Sequence, residues 1–177
     1  MRKEIFAHVG SFVFVFVIIA VFKKFLNLDS WTFWVGGIIG TILPDIDHII
    51  YVYYLKPYEL TSQRVASLNQ RGQILPSLIL LANTRTERKS LILHTAIFHA
   101  IFLILAFLVI TSSGGLLGRG IVLAFLLHFA VDQLIDFRTL GNLSNWTAKL
   151  NLNLDLTQTR AYLISSFVVV FLFGILL

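Results

Sequence analysis

The sequence predicts an all-α integral membrane protein of about five transmembrane helices, folded as a single helical domain over residues 1–177. Three observations predict it. Hydrophobic residues make up 57% of the chain and charged residues 13%, against about 45–50% and about 25% in a soluble domain. Mean hydropathy is +0.84. The apolar residues gather in blocks near the roughly 20 residues that a helix needs to cross a bilayer core of about 30 Å. The net charge of +5 sits between these blocks or at their margins. There it sets topology and meets anionic lipid, and a soluble nucleic-acid-binding domain is excluded. The chain has no Cys, which excludes disulfides, Cys–zinc sites and thiol nucleophiles.

The first block, 6–22, follows Arg2 and Lys3 and so resembles a signal peptide. Lys23 and Lys24 follow it instead of a small-residue cleavage site, so a retained helix is expected. The second block, 31–55, is broken near Pro44, where the ring removes a backbone donor and permits a kink. A polar loop over 56–90 comes next, expected on the cytoplasmic side. Its apolar piece Ile74–Ala82 contains Pro76 and is too short to span, so it reads as interfacial or re-entrant. The third, fourth and fifth blocks cover 91–110, 117–136 and 161–177.

Basic residues orient these blocks. With five spans, Arg2, Lys3, Lys56, Arg64, Arg71, Arg85, Arg88, Lys89, Arg138, Lys149 and Arg160 fall on one side. Lys23, Lys24 and Arg119 fall on the other. Eleven against three places the N-terminus inside and the C-terminus outside a cytoplasmic (inner) membrane.

All five His lie within the apolar blocks, and Asp45, Asp47 and Asp132 are embedded with them. Ionisable groups there are costly and mark function by default. The topology carries His8, Asp45, Asp47, His48, His94, His99, His128 and Asp132 to one depth near the cytoplasmic face. His128 and Asp132 share a helix face at i,i+4, as do Asp45 and His48 at i,i+3. Imidazole and carboxylate without thiolate suit a divalent metal. Zinc is favoured by the His count, with manganese, iron or magnesium as further candidates, and one or two ions fit the number of ligands. His8, Asp45, Asp47, His48, His94, His128 and Asp132 are the candidate ligands. His99 is an alternative ligand or an outer support. Asp136, four residues past Asp132, reads as an interfacial acid. Arg85 and Arg88 in the adjacent loop are candidate substrate-binding forks for phosphate.

The segment Gly40-Thr41-Ile42-Leu43-Pro44-Asp45-Ile46-Asp47-His48 resembles the signature of the membrane-bound metal-dependent hydrolase family (YdjM-like inner-membrane proteins). His8, His94 and the pair His128 and Asp132 match that family's remaining ligand positions in order, and the likeness extends over roughly 8–146. In the middle segment, Glu87 to Thr95, the family's earlier His has no counterpart, and His99 is the candidate to replace it. The resemblance implies a metal-dependent hydrolase without defining its substrate.

A membrane-embedded hydrolase of a lipid or amphipathic phosphoester is therefore expected, with membrane lipid as substrate and Asp47 and His94 as catalytic candidates, Asp47 as general base. A noncatalytic metal-binding scaffold is the second expectation. A metal or proton transporter is the third, disfavoured because the outer halves of the helices are almost bare of polar groups.

Overall fold

Apolar runs that cannot meet water must bury their backbone polar groups within themselves, and in this chain they do so as helices. The computed structural model describes residues 2–88 and 91–177, and among these no strand occurs. Lys89 and Ser90 of the middle segment lie outside the described residues. The helices are α1 (Arg2–Lys23), α2 (Trp31–Ile42), α3 (Ile46–Ile50), α4 (Leu60–Gln70), α5 (Ile74–Asn83), α6 (Ala96–Thr111), α7 (Leu116–Leu140), α8 (Ser144–Thr147) and α9 (Leu156–Leu176). Among the described residues, four stretches are long and apolar enough to cross a membrane: Glu4–Lys23, Leu28–Leu55, Leu116–Leu140 and Leu156–Leu176.

Helix ends follow local chemistry. Lys24 takes a left-handed conformation (φ 60°), and the Phe25 N–H reaches back to the Ala20 carbonyl at 2.8 Å, closing α1. Gly141 does the same for α7 at φ 73°. A reciprocal capping box between Asp155 and Gln158 starts α9. The break expected at Pro44 is a 3₁₀ turn, Leu43–Asp45, between α2 and α3.

α7 is the central helix and packs against α1, α2, α6 and α9. Its closest neighbour is α2, across a seam of small residues. A Cβ on Gly36 would strike the Leu117 carbonyl, one on Gly40 the Ile121 carbonyl, and one on Gly120 the Phe33 carbonyl. Between helices in lipid, association rests on such close packing, because hydrocarbon gives no hydrophobic drive. The seam brings the end of α2, and with it the Pro44 turn, against the middle of α7.

Two regions differ from the sequence expectation. The described part of the polar stretch, 56–88, holds a helical hairpin, α4 and α5, turning at Gly72 (φ 70°). It packs on the end of the second span through Val52, Val65 and Leu81. The third block becomes helical only at Ala96, so α6 has 16 residues and a length of about 24 Å. The reason is an acceptor elsewhere in the fold. Asp47 takes the N–H groups of Ile92, Leu93 and His94 at 3.0, 2.7 and 3.2 Å. That holds the segment out of helix until Thr95 caps α6 by accepting from the Phe98 N–H.

Candidate metal centre

Asp132, on the buried face of α7, is fully inaccessible and is the hub of the site. Its Oδ1 lies 3.1 Å from His8 Nε2 of α1 and 2.8 Å from Arg85 Nη1. Its Oδ2 lies 2.9 Å from His94 Nε2 and 3.2 Å from His128 Nε2. The rings of His8 and His128 stack at 4.2 Å. His8, His128 and Asp132 each offer one ligand atom, all within 4.8 Å of one another.

The proton positions decide what this cluster can hold. His128 Nδ1 lies 2.7 Å from the Thr41 carbonyl in the last turn of α2. A carbonyl only accepts, so Nδ1 carries the proton and Nε2 presents its lone pair. That Nε2 faces Asp132, is buried, and makes no hydrogen bond. His94 Nδ1 lies 3.1 Å from Asp47 Oδ2 and its Nε2 2.9 Å from Asp132 Oδ2, so this ring bridges two carboxylates. Two imidazole nitrogens thus converge on the buried Asp132 carboxylate, whose other oxygen meets the Arg85 guanidinium. The donor set suits a divalent metal, and the carboxylate–His pairing of Asp47 with His94 is how proteins orient a metal-binding imidazole.

The remaining expected residues surround this centre. Both Asp47 oxygens are engaged by the 92–94 segment and His94. Asp45 is 59% exposed, with Oδ1 3.8 Å from His128 Nε2. His48 stacks on His94 at 5.2 Å and accepts from Arg88 Nε at 3.2 Å. Arg85 bridges Asp132 and Asp136, 2.8 and 3.0 Å away. Burial opposes the Arg85 charge, but these two carboxylates outweigh it and hold the guanidinium above its ordinary range. Arg88 lacks such a partner; burial, then the Arg85 charge, push it down to about 10. At neutral pH both stay cationic. The two arginines reach the site because the α4–α5 hairpin folds back onto it.

His99 is not part of the cluster. Its Nδ1 meets the Tyr162 hydroxyl at 2.9 Å and the Gln133 amide at 3.2 Å. Phe129 and Trp146 pack against both His94 and His99 rings. Asp136, expected at the interface, is instead buried and accepts from Trp146 Nε1 at 2.8 Å. Its i,i+4 relation to Asp132 was the signal that it shares the inward face. Nothing in the sequence around Trp146 marked that residue, nor the Thr41 carbonyl that fixes the His128 tautomer.

A cleft of about 430 Å³ opens beside the centre, between α1, the α2–α3 bend and α5. His8, Asp45, His48, Arg85 and Arg88 form its polar end, and isoleucines and leucines form its walls.

Fold and site together define a helical protein with helices long and apolar enough to cross a membrane and a buried His–Asp cluster fit for a metal. No family model, curated protein or solved structure matches the chain.

Proposed function

We propose that this protein is a membrane-embedded metal-dependent hydrolase acting on a lipid or other amphipathic phosphoester at the cytoplasmic face of an inner membrane. The observation that carries the reading is the His128 Nε2 lone pair, buried without a partner against Asp132, at the end of a cleft that also presents Arg85 and Arg88. The Gly40–His48 segment, with its family resemblance, supports the same chemistry. In this reading α6, with the non-helical residues before it, is a fifth crossing. The N-terminus lies inside and the C-terminus outside, following the eleven-to-three distribution of basic residues.

His8, His128 and Asp132 hold the metal, with His94 as fourth donor, and zinc suits that set. Such an ion polarises the phosphoryl group and acidifies a water. Asp47 orients His94, since its own oxygens are occupied. Asp45, open to the cleft and close to His128, is the carboxylate placed to accept a proton. Arg85 and Arg88 offer positive charge to the phosphoryl oxygens.

The test is metal analysis of the purified protein, followed by a phosphoester screen. About one equivalent of zinc or manganese is expected, together with phosphoester turnover that an Asp45→Ala/His48→Ala variant lacks. A folded protein without stoichiometric metal under non-chelating conditions overturns the reading. Metal without turnover leaves a noncatalytic metal-binding scaffold.

A further inference from the structure

Two features of the cleft are not explained by a metal centre alone. The first is its walls. Ile42, Ile46 and Ile49 stand on one side and Leu75 and Leu78 on the other, with Leu81 buried at the bottom. The five wall residues are between 42% and 61% exposed, although each could have packed inward had the hairpin closed on the bend. The second is its direction. The cleft runs from this apolar mouth to the polar end beside Asp132, and Ile5 of α1, 52% exposed, continues the apolar surface at its edge. In the membrane-embedded reading these apolar walls meet hydrocarbon rather than water. Its volume falls within the range of about 300–1,000 Å³ typical of small-ligand sites.

We infer that the cleft between the α2–α3 bend and α5 seats the hydrocarbon chain of a phosphoryl-bearing lipid that enters sideways from the bilayer. The inference rests on the hydrolase reading for the phosphoryl group, and on the apolar walls for the chain. The chain lies between Ile46 and Ile49 on one wall and Leu75 and Leu78 on the other. Its phosphoryl head meets Arg85, Arg88 and His48, whose cationic forks and imidazole match a phosphoryl anion better than an alcohol. Glu4 and Asp45 also line the cleft, so a head crowded with further negative charge fits worse than one phosphoryl group. Burial of the chain supplies affinity, and the arginines fix which end reaches the metal centre.

The experiment uses the full chain in lipid nanodiscs with zinc present, and a non-hydrolysable long-chain alkyl phosphonate bearing a diazirine at its tail. After photolysis, mass spectrometry maps the labelled residues. Labelling is expected on Ile46–Ile49 and Leu75–Leu81, and an unlabelled long-chain alkyl phosphonate competes. Inorganic phosphate, a short-chain phosphonate and an alkanol of equal length compete poorly. Leu78→Trp fills the cleft, and excluding two or more methylenes lowers labelling by about tenfold or more. Ile49→Trp does the same from the opposite wall, and unchanged metal content shows that either variant is folded. Labelling spread evenly over the outer faces of α1 and α9, or unaltered by both tryptophans, overturns the inference. So does competition by inorganic phosphate equal to that of the long-chain phosphonate, since it removes any role for the chain. Cleft labelling without turnover of any phosphoester leaves the lipid site standing and removes the hydrolase reading. Turnover of short phosphoesters without cleft labelling does the reverse.

Discussion

His94 and His99 lie five residues apart, both are buried, and both pack against Phe129 and Trp146. Their polar surroundings are opposite. His94 stands between the carboxylates of Asp47 and Asp132, in a cluster where His8 Nδ1 and His128 Nε2 have no hydrogen-bond partner. His99 stands among neutral groups in a closed network, with Tyr162 and Gln133 on its ring and Ser166 donating to the Gln133 oxygen at 2.7 Å. A buried membrane histidine is therefore not a metal candidate by burial alone. The distinguishing feature is an excess of charged acceptors around the first ring, which the second lacks. The first cluster suits a metal ion. The second is complete and ties α6, α7 and α9 together, as interhelical hydrogen bonds do in lipid.

The sharpest way to break this contrast is Asp132→Asn. The amide keeps the volume but removes the charge that faces His8, His94, His128 and Arg85. Metal content should fall to background. Stability should also fall, but by less than the roughly 3–5 kcal/mol of a fully orphaned buried charge, because Arg85 keeps Asp136 as a partner. Elemental analysis and thermal unfolding in detergent check the two effects. Retained stoichiometric metal would show that the cluster is not the binding site.

Asp47→Asn is expected to act more gently. Asp47 touches no atom of the His8–His128–Asp132 triangle; it positions His94 and the 92–94 backbone. Losing such an outer carboxylate lowers metal affinity by about 10–100-fold while saturation still reaches the same stoichiometry. Chelator competition measures the affinity. An unchanged value would mean that His94 is not a donor.

These contrasts also show what was legible before the fold. Asp45, Asp47, His48, His128 and Asp132 announced themselves because charges in apolar blocks have few structural excuses, and the topology placed His8 and His94 at their depth. The five-block pattern located four of the crossing helices, since a run of apolar residues is both signal and cause. The third block misled for a specific reason. Leu91, Ile92 and Leu93 read as helix by composition, yet a carboxylate from another element holds their N–H groups, and tertiary capture overrides propensity. The sequence leaves open whether 56–90 is a hairpin, because polar α4 has no strong apolar period, and Arg85 and Arg88 reach the cluster only through its packing. Asp136 reads as interfacial because its i,i+4 spacing from Asp132 does not say how far inward that face of α7 stays buried.

The smallest effect belongs to the closed network. Tyr162→Phe removes one hydroxyl from His99 and Gln133 without adding volume. Interhelical hydrogen bonds of this kind contribute about 0.6 kcal/mol on average, so a shift of that order in unfolding stability is expected. Metal content and metal affinity should not move, because Phe129 and Trp146 separate His99 from the acceptors around Asp132. The measurement is worth making for what failure would mean. If removing this hydroxyl weakens metal binding as much as Asp47→Asn does, His99 is not a neutral tie between helices, and acceptor excess does not separate the two histidines. An effect confined to stability leaves one rule for both: a buried imidazole with neutral partners on its ring holds helices, and one aimed at carboxylates holds a cation.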